Sequence, residues 1–214
     1  MIEPAATRRV HVITYGCQMN VYDSRRIVQV LSKDGWVETG DPAMADLVLV
    51  NSCSVRDRPE KKILGTLSRM LPLKEANPAL RFGVCGCVAQ QHGEALLKKV
   101  PYLDLVFGPD RIADLPGLLA ATEDGSREAR TGLDAPAAYE FLPVDPAVEP
   151  GPASFLTIMK GCDRFCAYCI VPYVRGRQVS KPADRVLAEV EALVGAGVKE
   201  VTLLGQNVNA YGKD

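Results

Sequence analysis

The sequence predicts an α/β protein in three stretches: an open parallel α/β sheet domain over residues 8–122, a proline-rich linker over 123–153, and the first βαβ part of a parallel, TIM-like barrel over 154–214. Three observations carry that prediction. Short apolar runs alternate with helical patterns as far as about Ala121, the next stretch holds five prolines and no sustained period, and one strand–helix–strand pattern follows it.

In the first stretch, Val10 to Thr14 reads as a strand, and Ser24 to Lys33 as a helix with Ile27, Val30 and Leu31 on one face, stopped by Asp34-Gly35. Asp46 to Val50 is rich in Leu and Val, as a buried parallel strand should be. Pro59 opens a helix with Ile63, Leu67, Met70 and Leu71 on one face, while Lys61, Lys62 and Arg69 form a solvated one. Arg81 to Cys85 and Leu103 to Phe107 are strands; Gly93 to Val100 and Ile112 to Ala121 are helices. Within the linker only Tyr139 to Leu142 reads as a short strand. Beyond it, Ser154 to Met159 is a strand, Pro182 to Gly195 a helix with Val186, Val190, Leu193 and Val194 on one side, and Val201 to Leu204 a strand. A parallel barrel takes about thirty residues per βα unit. The 61 residues from Ser154 to Asp214 therefore supply only a beginning, and the expectation is a barrel cut short.

Hydrophobic residues at 47% and charged residues at 24% fit a folded globular chain and exclude both disorder and a membrane span. The net charge of -1 gives no general attraction to nucleic acid, so an RNA substrate has to be held by local patches or by a region outside this chain. Seven cysteines, an odd count, occur without a secretory segment in Met1 to Val10. That points to a reducing, cytoplasmic setting in which clustered thiols serve metal binding or redox chemistry.

Cys162, Cys166 and Cys169 form a CxxxCxxC spacing just after a predicted strand. A structural zinc knuckle needs a fourth ligand, and neither His11 nor His92 is close in sequence, so three soft ligands suggest an iron-sulfur cluster with one iron left open. Cys17, Cys53 and Cys87 follow three successive predicted strands at intervals of 36 and 34 residues. Carboxyl ends of parallel strands share one edge, where ligands bind, so these three can converge on one site. A lone cysteine there reads as core; three at equivalent strand ends read as a metal site. Cys85, inside its strand, reads as core. Arg164, Arg175, Arg177 and Lys181 form a local basic group, suited either to phosphate or to solvent.

These residues resemble the radical S-adenosylmethionine methylthiotransferases. The stretches Tyr15-Gly16-Cys17-Gln18-Met19-Asn20, Gly86-Cys87-Val88-Ala89-Gln90 and Leu204-Gly205-Gln206-Asn207-Val208-Asn209 look like the branch that makes 2-methylthio-N6-isopentenyladenosine in tRNA. The resemblance covers almost the whole chain apart from the linker and the first few residues. It implies two 4Fe-4S clusters and S-adenosylmethionine as cofactors. Cys162, Cys166 and Cys169 would hold the cluster that reductively cleaves S-adenosylmethionine to a 5'-deoxyadenosyl radical. Tyr168 would sit beside the adenine, with Gln206 and Asn207 at the strand end that contacts the methionine moiety. Cys17, Cys53 and Cys87 would hold the cluster that carries the inserted sulfur, and no catalytic residue is assigned beyond the cluster ligands.

The implied partners are the anticodon stem-loop of tRNA as substrate and an electron donor such as a flavodoxin or ferredoxin. The implied protein is a cytoplasmic monomer with no membrane association. Family members continue through the rest of the barrel into a small RNA-binding TRAM domain, so the resemblance implies that this is the N-terminal part and incomplete as a catalyst by itself. The rival expectations are methylthiolation of an aspartate in a ribosomal protein, and a non-catalytic iron-sulfur-binding fragment.

Overall fold

The structure, a computed structural model, describes residues 7–55, 59–149 and 151–214. The linker's Pro150 and most of the segment read for a secretory leader lie outside those residues.

Strand β1 (Arg8–Tyr15) leads into helix α1 (Gln18–Lys33), followed by β2 (Trp36–Glu38), β3 (Leu47–Ser52) and α2 (Pro59–Ala76). Then come β4 (Arg81–Gly86), α3 (Cys87–His92), α4 (Glu94–Lys99), β5 (Leu105–Phe107), α5 (Leu115–Ala121) and β6 (Glu128–Arg130). The six strands form one parallel sheet in the order β2-β1-β3-β4-β5-β6. Its two faces are covered separately: Ile63, Leu67, Phe82 and Val84 pack on one side, and Ile27, Leu31, Leu105, Phe107 and Leu115 on the other. Central strand β3 is buried at every position, which is why its sequence is a near-continuous apolar run.

Two strands of this sheet were not expected, β2 and β6, and both are three-residue edge strands with too few side chains to show a period. β6 falls in the stretch expected to be linker. It is anchored from Arg127, whose guanidinium donates to the Leu103 carbonyl at 2.7 Å and to the Val100 carbonyl at 2.8 Å. The strand expected at Tyr139 to Leu142 does not form. Tyr139 and Phe141 instead meet edge to face at 5.0 Å, and each ring covers a lysine ammonium, Lys160 and Lys181 respectively. Those contacts use the aromatic side chains for a cation lid, and the backbone there pairs with no strand.

The last stretch contains β7 (Ala153–Thr157), β8 (Met159–Lys160), α6 (Val171–Arg175), β9 (Val179–Ser180), α7 (Ala183–Gly195) and β10 (Glu200–Leu204). β7 and β10 are parallel, with α7 as the crossover, giving the expected βαβ unit. The expected strand Ser154 to Met159 is divided at Ile158, where the chain passes from β7 to a short antiparallel pair of β8 with β9. Among the described residues no helix is long and apolar enough to cross a membrane.

Helix α1 joins the two parts. Ile27 and Leu31 face the six-stranded sheet, while Met19 and Tyr22 pack with Leu156, Ile158, Met159 and Leu193. Each such apolar side chain taken from water stabilises the contact by about 1.5–3 kcal/mol. Buried ion pairs cross the same seam: Asp23 with Arg175 at 2.6 Å, Asp110 with Lys160 at 2.5 Å, and Arg26 with Glu149. Removing one partner of such a pair typically costs about 3–5 kcal/mol, because it strands a buried charge.

Candidate metal centres

β1, β3 and β4 are neighbours in register, with Tyr15 opposite Ser52 and Ser52 opposite Gly86. Cys17, Cys53 and Cys87 leave those strand ends within two residues and therefore meet at one edge of the sheet. The turns that bring them there require glycine. Gly86 has φ 84° and ψ -158°, a region open essentially only to glycine, and a Cβ on it would run into the Asn51 side chain and the Ser52 carbonyl. Gly16, at φ 136°, would place a Cβ 2.5 Å from that of Cys53.

A buried polar network fixes the floor of the site. Asn51, fully buried at the end of β3, donates to the Asn20 carbonyl at 2.9 Å and to the Ser24 hydroxyl at 2.9 Å, and accepts from the Asn20 amide at 3.1 Å. Ser24 and Thr14 share a further bond of 2.7 Å. The start of α1, the end of β1 and the end of β3 are thereby tied together under the cysteines.

The Cys17 thiol donates to Asn20 Oδ1 at 3.3 Å, and Cys53 Sγ accepts from the Val55 amide at 3.3 Å. The Cys53 pKa is pushed up by the neighbouring Cys17 and Cys87 thiols and by burial. Cys17 is drawn down to about 5, first by the neighbouring Cys53 thiol and then, against burial, by the Asn20 and Met19 amides at the α1 N-terminus. Cys87 is drawn down to about 6, again first by Cys53, then by Arg175. Cys17 and Cys87 thus favour thiolate, the form that binds metal, while Cys53 keeps its proton. Ser52 and Ser54 flank Cys53 with buried hydroxyls that have no hydrogen-bond partner among the described residues, which suits donation to the sulfurs of a bound cluster. Among the described residues no group of three His, Cys, Asp or Glu is drawn in around a single metal ion. An iron-sulfur cluster is bulkier than one ion, so its ligands stand further apart, and an all-cysteine donor set fits it.

The second set lies on the loop between β8 and α6. Gly161, at φ 71°, packs against the Arg177 carbonyl, and the Cys162 amide donates to the Gly176 carbonyl at 3.1 Å. Asp163 closes the base of the loop by accepting from the Gln178 amide at 3.0 Å and pairing with Arg177 at 2.8 Å. Cys162 is buried, Cys166 exposed and Cys169 half-buried, with a turn from the Cys166 carbonyl to the Cys169 amide at 3.0 Å. Tyr168 is 93% exposed. Gln206 and Asn207 follow β10, parallel to β7, at the edge from which the loop departs, and the Gln206 side-chain oxygen is buried without a partner. Cys85 belongs to the core on the opposite face.

The expected basic group does not exist as a patch. Arg175 and Lys181 are buried, the latter on Glu189 at 2.7 Å, while Arg164 and Arg177 are exposed. What sequence reasoning missed is the place of Arg175 against the first triad: its Nε–H donates to Cys87 Sγ at 3.3 Å.

Two family models match the chain: uncharacterized protein family UPF0004 over residues 9–108 and the Radical SAM superfamily over residues 156–214. Similar curated relatives carry the name tRNA-2-methylthio-N(6)-dimethylallyladenosine synthase. The one from Cereibacter sphaeroides (strain ATCC 17025 / ATH 2.4.3) is 48% identical over 97% of this chain and 48% of its own length. That from Ruegeria pomeroyi is 47% identical over 95% of this chain and 46% of its own, and that from Citrifermentans bemidjiense 49% over 95% and 46%. The chain spans about half the length of the curated relatives it matches.

Proposed function

We propose that the chain belongs to the radical S-adenosylmethionine methylthiotransferase family and that the protein is a tRNA methylthiotransferase, converting N6-(dimethylallyl)adenosine next to the anticodon to its 2-methylthio derivative. The observation that carries this reading is the pairing, in one chain, of a cysteine triad at three strand ends with a second triad on a short loop. When bound, S-adenosylmethionine and one 4Fe-4S cluster supply one-electron reductive chemistry, and a second 4Fe-4S cluster supplies the sulfur.

Cys162, Cys166 and Cys169 would hold the first cluster, and Cys17, Cys53 and Cys87 the second. The Tyr168 ring, exposed beside Cys169, would lie beside the adenine of the cofactor. Gln206, whose side-chain oxygen is buried, and Asn207 would line the strand end that holds the methionine moiety of the cofactor. Burial of Cys53 and Cys87 keeps water from the sulfur-bearing side. The substrate contact is the anticodon stem-loop, the electron donor is a flavodoxin or ferredoxin, and the protein works as a cytoplasmic monomer.

The test is methylthiolation by the full-length protein after anaerobic reconstitution, with reductant and S-adenosylmethionine. The two substrates compared are an anticodon stem-loop carrying N6-(dimethylallyl)adenosine and a ribosomal protein, and products are read by mass spectrometry. Product on the RNA is expected. Product on the ribosomal protein alone, or no cleavage of S-adenosylmethionine by cluster-loaded protein, rules the proposal out.

A further inference from the structure

We propose that Arg175, contributed by the loop-bearing part of the chain, is a positioning residue that sets the charge of the Cys17, Cys53 and Cys87 site and hence the reduction potential of the cluster held there. The inference rests on the reading that these three cysteines hold an iron-sulfur cluster.

The geometry is specific. The Arg175 side chain is only 7% exposed, its Nε–H meets Cys87 Sγ at 3.3 Å, and one of its terminal nitrogens lies 2.6 Å from an Asp23 carboxylate oxygen. Asp23 comes from α1, the helix that starts beside Cys17, and Cys87 is the first residue of α3, against which α6 packs. One guanidinium thus touches the helices that follow two of the three cysteines. Arginine suits this place because its charge persists in a buried setting and its rigid fork directs separate N–H groups at two acceptors.

Charge decides the consequence. A cluster that accepts an electron becomes more negative, and its potential depends on net charge, on hydrogen bonds to its sulfurs and on solvent exposure. The Arg175 cation, bonded directly to a ligand sulfur, favours the reduced form and raises the potential. The Asp23 anion offsets that cation and lowers it. The two residues form one ion pair yet act on the cluster with opposite sign.

The opposite signs make the test. In a chain with Cys162, Cys166 and Cys169 replaced by Ala, only the strand-end site remains to take a cluster. After anaerobic reconstitution, dithionite supplies one electron to that cluster, and the potential at half reduction is read by EPR for the parent, Arg175→Met, Arg175→Lys and Asp23→Asn. The expected order is Arg175→Met below the parent, Arg175→Lys nearer to it, and Asp23→Asn above it. A purely structural role predicts shifts of one direction, or loss of iron in all variants alike, and either result overturns the proposal, as do unchanged potentials. Should Arg175→Met fail to fold, Asp23→Asn decides alone: an upward shift supports the assignment and an unchanged or lower potential ends it. A parent that binds no iron removes the cluster reading and this inference with it, whereas iron bound with unmoved potentials removes only the inference.

Discussion

The two cysteine triads are built in opposite ways. Cys17, Cys53 and Cys87 are far apart in sequence and are brought together by strand register, glycine-only turns and a buried network through Asn51. Cys162, Cys166 and Cys169 are neighbours in sequence, and the loop that carries them is fixed mainly at its base, leaving Cys166 at the surface. Proximity in the first is a property of the fold; in the second it is a property of spacing. The first site should therefore fail with the sheet, and the second should tolerate changes around its rim.

Gly86→Ala should have the largest effect. It puts a Cβ into the Asn51 side chain and the Ser52 carbonyl at a backbone conformation that costs a non-glycine residue about 1–3 kcal/mol, with overpacking of similar size on top. A total destabilisation of about 2–5 kcal/mol should appear as a lowered denaturant midpoint, together with loss of thiol convergence at the strand ends. A variant as stable as the parent would show that the strand-end geometry is not locked as described. At the base of the loop, Asp163→Ala removes an ion pair whose side chains are 43% and 59% exposed and the acceptor of the Gln178 amide, and should cost only about 1–2 kcal/mol. A larger loss there would erase the distinction between a site held by the fold and one held by spacing.

How much of this the sequence discloses follows from the same contrast. The apolar runs of β1, β3 and β4, and the near-equal intervals between Cys17, Cys53 and Cys87, place the first triad at one sheet edge without any coordinates. The glycines beside those cysteines are visible too, since close approach of backbone is what they permit. Three-residue edge strands such as β6 leave no period to read, and α3 begins at Cys87 with no cap residue to announce it. The burial of Arg175 was hidden for another reason. A buried charge is legible only with its partner, and Asp23 and Cys87 both lie far from it in sequence, so in isolation it resembled the exposed Arg164 and Arg177. Tyr168 and Gln206 could be singled out only by resemblance, because an exposed ring and a turn glutamine have ordinary explanations.

The central claim, that each triad holds its own cluster, is tested most directly by counting iron and acid-labile sulfide, with Mössbauer spectra, in three anaerobically reconstituted chains. These are the parent, a variant with Cys17, Cys53 and Cys87 replaced by Ala, and a variant with Cys162, Cys166 and Cys169 replaced by Ala. The account predicts that each variant keeps half of the parent's iron with spectra of a 4Fe-4S cluster. Zinc in place of iron, or a single triple replacement that removes all of the iron while the other removes none, would contradict it.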